Sequence, residues 1–172
     1  MRPSLHLVCA LSLSLAAAAC SKPATTPADK IPGAPEASDT TASAPSASDQ
    51  AALTAAQLAT LPAPYNTGDI DNGRTKFVLC MACHSIQAGA PSMTGPNLHG
   101  VFGRKAGTFA GYAYSDAVKN SGFVWDAPLL DKWLSQPAKT LPGTKMTFVG
   151  LPNAQDRIDL IAYLKVASSA GL

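Results

Sequence analysis

The sequence predicts an all-α, loop-rich fold of four to five helices, confined to residues 65–172. Three observations predict it. All eleven aromatic residues lie between Tyr65 and Tyr163, so a packed core belongs to that stretch. Within it, apolar residues recur at helical spacing in several short runs. None of those runs alternates in the manner of a half-buried strand.

The chain reads in three parts. Residues 1–19 form an export signal: Arg2 supplies a positive start, Leu5 to Leu15 an apolar stretch, and small residues follow. As a membrane span the stretch is short, because a helix needs about 20 apolar residues to cross a bilayer. Two cleavage readings stand. Ala17-Ala18-Ala19-Cys20 resembles a bacterial lipoprotein signal, in which Cys20 is lipidated and becomes the new N-terminus. Ala17-x-Ala19 also suits ordinary signal peptidase, which would leave a soluble periplasmic protein. The lipidated reading is the expectation, since a lone thiol is a hazard in an oxidising compartment. Two or more acyl chains would hold the protein at a membrane surface.

Residues 20–64 join Cys20 to a Pro/Ala/Ser-rich segment expected to be a disordered tether. Such a composition cannot bury enough apolar surface to offset its ordering entropy. As a flexible coil it would span on the order of 40 Å. Its end, AALTAAQLATL (51–61), has the composition of a short helix, stopped by Pro62 and Pro64.

Residues 65–172 carry the domain. GDIDNGRTKFVLCMACHSI (68–86) predicts a helix with Asp69 or Asp71 near its start. A long Gly/Pro-rich loop follows, of a length that suits wrapping around something other than protein. DAVKNSG (116–122) predicts a short helix stopped by Gly122, and APLLDKWLSQP (127–137) another with an apolar stripe. DRIDLIAYLKVASSA (156–170) predicts the last helix. A domain this small gains materially from a large buried cofactor.

Composition excludes some function classes. The net charge is only +2, and the domain holds ten Lys/Arg against seven Asp/Glu, without a basic cluster. Nucleic acid is therefore no expected partner. The four cysteines are no disulfide framework, because only Cys80 and Cys83 lie in the domain.

Those two belong to the pentapeptide CMACH. On a helix Cys80, Cys83 and His84 fall at i, i+3 and i+4 and share one face. Zinc would need four ligands; there is no second cysteine pair, and His99 is the one further histidine in the domain. A redox dithiol would follow a strand in a βαβ unit. Cys-x-x-Cys-His is the attachment signal for a c-type haem: two thiols add across the vinyl groups, and the imidazole reaches the iron. The other axial position has candidates in His99, Met81, Met93 and Met146. Met81 lies between the thioether cysteines, and His99 only fifteen residues after His84. Met146, in the Pro/Gly-bounded turn LPGTKMTF, is the expected ligand.

Several separated motifs agree in order. CMACH, TGPNLHGVFGRKAG (94–107), PGTKM (142–146) and DLIAYLK (159–165) resemble mitochondrial-type class I cytochrome c and its small bacterial relatives, over roughly 68–167. The resemblance implies a class I cytochrome c fold around one covalent haem c. It implies Cys80 and Cys83 as the thioether residues, His84 as proximal and Met146 as distal iron ligand. Pro96 would accept a hydrogen bond from the second nitrogen of His84, and Arg104, Tyr114 and Trp125 would surround the haem propionates. Gly73 and Phe77 would pack on the last helix near Leu160 and Leu164.

There are departures. Leu79, Ala138, Pro152, Asn153 and Ala154 stand where the mitochondrial relatives carry docking lysines, while Lys139 and Lys145 remain. Val118 and Trp133 replace a polar asparagine and tyrosine of the haem pocket.

The expected function is one-electron transfer by a monomer, not an enzyme. It would be held by its lipid at the periplasmic face of a bacterial membrane. Its partners would be redox complexes such as a quinol-cytochrome c reductase and a terminal oxidase. The competing readings are a haem peroxidase, which needs an open distal position, and a fixed cytochrome subunit of an oxidase.

Overall fold

A computed structural model describes residues 46–169. The leader, Cys20 and residues 21–45 lie outside the described residues. Six helical segments run α1 (Ala47–Ala59), α2 (Ile70–Met81), α3 (Asp116–Lys119), α4 (Ala127–Ser135), α5 (Pro137–Thr140) and α6 (Ala154–Ser169). Among the described residues there is no strand beyond one isolated bridge, Lys105 with Val124.

Helix α1 is the short helix expected within 51–61; it starts earlier, at Ala47, and ends at Ala59, before Pro62 and Pro64. It packs on the domain rather than trailing from it. The reason is local and tertiary at once. Ser46 and Asp49 form a reciprocal capping box, each side chain accepting the other's backbone N–H. Leu58 then packs against the core, and Leu61 and Tyr65 are buried in it. The helix contacts α6 and the single 3₁₀ turn Tyr65–Thr67.

Helix α2 begins where Asp69 accepts hydrogen bonds from the N–H groups of Asp71 and Asn72. It crosses α6 at close range, and Gly73 sets the closeness. A Cβ at Gly73 would overlap the carbonyl group of Asp159 and lie 2.7 Å from the Cβ of Tyr163. One turn on, Phe77 meets Tyr163 with ring centroids 5.3 Å apart. Leu160 and Ile161 are wholly buried. The buried carboxylate of Asp159 ties the crossing, accepting from the Asp69 N–H at 2.9 Å, Asn72 Nδ2 at 2.7 Å and Gln155 Nε2 at 2.8 Å. A buried charge is tolerable only when hydrogen-bonded in this way.

Helix α4 starts at Asp126, whose side chain accepts from the Leu129 N–H, with Pro128 in the first turn. It turns Leu130, Trp133 and Leu134 inward. It is locked to α6 by Arg157, which donates to Asp131 at 2.7 Å and to the carbonyls of Leu151 and Pro152. The long loop between α2 and α4, with α3 inside it, closes the remaining side.

Candidate functional site

The helix of CMACH ends earlier than the sequence suggests. Helix α2 stops at Met81 rather than near Ile86. Two further bonds keep the chain in a helical turn, from the N–H groups of Cys83 and His84 to the carbonyl of Cys80. Cys80, Cys83 and His84 therefore still line one cavity together. The thiol of Cys80 is pushed up to about 11, first by burial and then by the neighbouring Cys83.

That cavity has a volume of about 340 Å³. Leu98, Val101, Leu130, Leu134 and Leu164 make much of its wall apolar. The imidazole of His84 is fixed in it from behind. Its Nδ1 lies 2.7 Å from the carbonyl oxygen of Pro96. A carbonyl can only accept, so Nδ1 carries the proton and Nε2 keeps its lone pair. Burial lowers the pKa of His84, opposed by the Pro96 hydrogen bond, so the neutral ring is favoured.

The Pro96 carbonyl is itself held. The Gly95 N–H donates to the Cys83 carbonyl and the Leu98 N–H to that of Ser85, both at 2.8 Å. Buried Asn97 gathers the loop further. Its Nδ2 donates to the carbonyls of Gln87 and Ala90, and its Oδ1 accepts from the His99 N–H. Sequence reasoning passed over Asn97; the signal was its place in GPNL beside Pro96.

Arg104, Tyr114 and Trp125 all line the same cavity. The guanidinium of Arg104 donates to the carbonyls of His99 at 2.8 Å and Asn97 at 3.0 Å, and lies over the Phe109 ring. Burial lowers its pKa, opposed by Tyr114, and burial raises that of Tyr114, opposed by Arg104. Trp125 meets Trp133 edge to face at 5.3 Å.

Met146 lines the cavity as well, though it lies 62 residues after His84. The turn before it requires Gly143, whose φ is +87°. The Met146 N–H then donates to Thr144 Oγ1. Lys145 reaches the other way, its ammonium donating to the Ala113 carbonyl at 2.8 Å. The other candidates stay outside: His99, Met81 and Met93 do not line the cavity. Among the described residues no three His, Cys, Asp or Glu side chains gather where they could hold a bare metal ion. Val118 and Trp133 sit in the wall, as the departures from the family pattern anticipated.

These residues fit a flat, largely apolar group that is bonded at one edge and ligated through its centre. Two thiols stand at the wall, one imidazole offers Nε2, and Gly95 leaves the ring its space. A Cβ at Gly95 would strike the imidazole, lying 2.7 Å from Nδ1. Arg104 and Tyr114 supply donors at the polar part of the wall. The fold and site together define a small all-α protein built around a covalently held prosthetic group.

The comparisons make that class specific. The cytochrome c family model matches residues 70–168, and the chain belongs to the cytochrome c family. It is 50% identical over 104 residues to cytochrome c2 of Rhodoblastus acidophilus, covering 60% of this chain and 97% of that protein. It is 45% identical over 105 residues to cytochrome c of Kluyveromyces lactis, covering 60% and 96%. Cytochrome cH from Methylobacterium extorquens has a similar structure, with a TM-score of 0.54 and 46% identity. That match covers 57% of this chain and 98% of the other. The protein is accordingly an electron carrier with one covalent haem c and its iron, and not an enzyme.

Proposed function

We propose that Cys80 and Cys83 form the thioethers, and that His84 and Met146 are the axial ligands of a closed, six-coordinate site. The observation that carries this reading is the convergence of both thiols, the Pro96-oriented imidazole and Met146 on one apolar cavity. The Pro96 carbonyl fixes the tautomer of His84 and strengthens it as a ligand. Arg104, Tyr114 and Trp125 offset the cost of placing the haem propionates in a partly buried setting. When bound, the haem supplies one-electron chemistry, and a thioether ligand raises its potential. The protein's part is to hold both axial donors in place and keep water from the wall. With His84 and Met146 both engaged, the haem would keep no position for a substrate, and its chemistry would be electron transfer alone.

The carrier is exported to the periplasmic face of a bacterial membrane and held there by lipid on Cys20. It passes electrons as a monomer between complexes such as a quinol-cytochrome c reductase and a terminal oxidase. No helix among the described residues is long and apolar enough to cross a membrane, so the anchoring rests on the Ala-Ala-Ala-Cys20 signal. With α1 folded, the proposed tether is residues 21–45. Such a tether raises the effective concentration of the carrier at its partners.

The mass of the mature protein tests both halves. It should contain one haem increment and acyl chains on a chain beginning at Cys20. A mature chain without acyl mass overturns the anchor, and one without the haem increment overturns the thioethers. Deleting 21–45 should lower electron flux and leave the visible spectrum unchanged; undiminished flux counts against the tether.

A further inference from the structure

Seven large hydrophobic side chains stand strongly exposed among the described residues, and all but Leu53 line the haem cavity or stand next in sequence to a residue that does. On the last turns of α2 they are Val78, 62% exposed, Leu79, 57%, and Met81, 56%. Leu79 is itself part of the cavity wall beside Cys80 and Cys83. Met93, 50% exposed, precedes Thr94, and Val149, 89% exposed, follows Phe148; both of those neighbours line the cavity. Three separate segments that line the cavity thus each carry exposed apolar side chains, with Leu79 in the wall itself. Scattered exposed hydrophobics need no explanation, but a concentration at one functional rim marks an interaction surface.

The charges around the rim are sparse. Leu79, Ala138, Pro152, Asn153 and Ala154, which replace the relatives' docking lysines, are all exposed. Lys145, at the cavity wall, is exposed and donates to the Ala113 carbonyl. Lys76 is paired with Asp156 at 3.0 Å and Arg74 with Asp71 at 3.1 Å. Lys139 is exposed as well, and two cations steer a strongly acidic partner only weakly over distance.

We propose that this rim docks a redox protein whose own contact face is apolar and nearly neutral, with encounter driven by apolar burial and not by charge. The inference rests on the electron-carrier reading, because the partner must approach the cavity edge. Charge complementarity selects the partner: a rim with little charge gains nothing from an acidic face and loses by desolvating it.

The test uses the full-length holoprotein in its ferrous form, oxidised by membrane vesicles from the organism that makes it. The second-order rate should change by less than about twofold between low and physiological salt, since screening acts only on charge. The double variant Val78→Ser, Met81→Ser should lower that rate severalfold while leaving the spectrum and oxidation by hexacyanoferrate(III) unchanged. A steep fall with salt, or a double variant as fast as wild type, overturns the proposal and leaves the carrier reading intact. A haem-loaded protein that no membrane fraction oxidises overturns the carrier reading instead. Sedimentation showing a dimer that the double variant dissociates would reassign the rim to a second copy of this chain. Protein-free lipid vesicles that bind the wild type but not the double variant would reassign it to the bilayer.

Discussion

The imidazole Nδ1 of His84 and the carbonyl oxygen of Pro96 lie 2.7 Å apart, across a loop whose next residue inward is a glycine. The two facts depend on each other. Only without a side chain at position 95 can the backbone come near enough for Pro96 to hold the ring. Gly95→Ala should push the imidazole off its position, at a cost of about 1–3 kcal/mol or more for overpacking. The expected result is a lower yield of haem-attached protein and a lower unfolding midpoint in what forms. Wild-type yield and midpoint would mean that the ring tolerates displacement.

Met146 is the other half of the same geometry. On the proposed ligation, removing its thioether would leave one axial position without a strong protein donor. Met146→Ala should lower the midpoint potential, because the thioether is what favours the ferrous state. Cyanide and carbon monoxide should then bind readily. Potentiometry and ligand titration read both effects. A variant with an unaltered spectrum and no new ligand binding would remove Met146 from the iron.

Legibility in the sequence followed range. CMACH is local, and its three side chains needed only a helical turn to meet; the turn survives even though α2 ends early. Met146 had rivals in the sequence, and packing separated them: Met81 and Met93 are exposed, while Asn97 ties down the loop that keeps His99 out of the cavity. Asn97 and Asp159 were not singled out, because a buried polar residue looks like a surface one until its donors are known. The helix of α1 is legible in AALTAAQLATL, but its seat on the domain is not: that rests on Leu58 and Leu61, and the Ser46–Asp49 capping box lies before the alanine-rich run. Single-turn α5 begins on Pro137 and, at four residues, carries no periodicity to read.

Asp159 gives the α2–α6 crossing a pH dependence with a definite sign. Burial pushes its carboxyl pKa up, but hydrogen bonds from Asn72, the Asp69 N–H and Gln155, with the charge of Lys76, outweigh it. The net shift is downward. A carboxyl with a lowered folded pKa contributes stability above its unfolded pKa of about 3.9 and loses it as pH falls through the folded value. Asp159→Asn should therefore cost about 1–3 kcal/mol at neutral pH. Urea midpoints of wild type and variant should converge on acidification below about pH 5. A difference that stays constant from neutral to acid would show that the charge is not what ties the helices.

Leu61 tests whether α1 belongs to the haem domain or only leads up to it. The side chain is buried in the main core between Leu58 and Tyr65, at the point where α1 gives way to the 3₁₀ turn. Truncating a buried leucine removes its transfer free energy and leaves a cavity, so Leu61→Ala should cost about 2–5 kcal/mol. For a domain of this size each kcal/mol lowers Tm by roughly 4–8 °C. No residue of α1 lines the cavity, whose wall comes from α2, α3, α4, α6 and the loops, so the visible spectrum and potential should hold while Tm falls. Leu53→Ala, on the exposed face of α1, is the control and should change Tm little. If both variants melt with wild type, α1 is a passenger and the proposed tether would extend to residue 64. If Leu61→Ala alone melts early, α1 belongs to the haem domain, and the proposed tether would end near residue 45 and join a helix seated against α6.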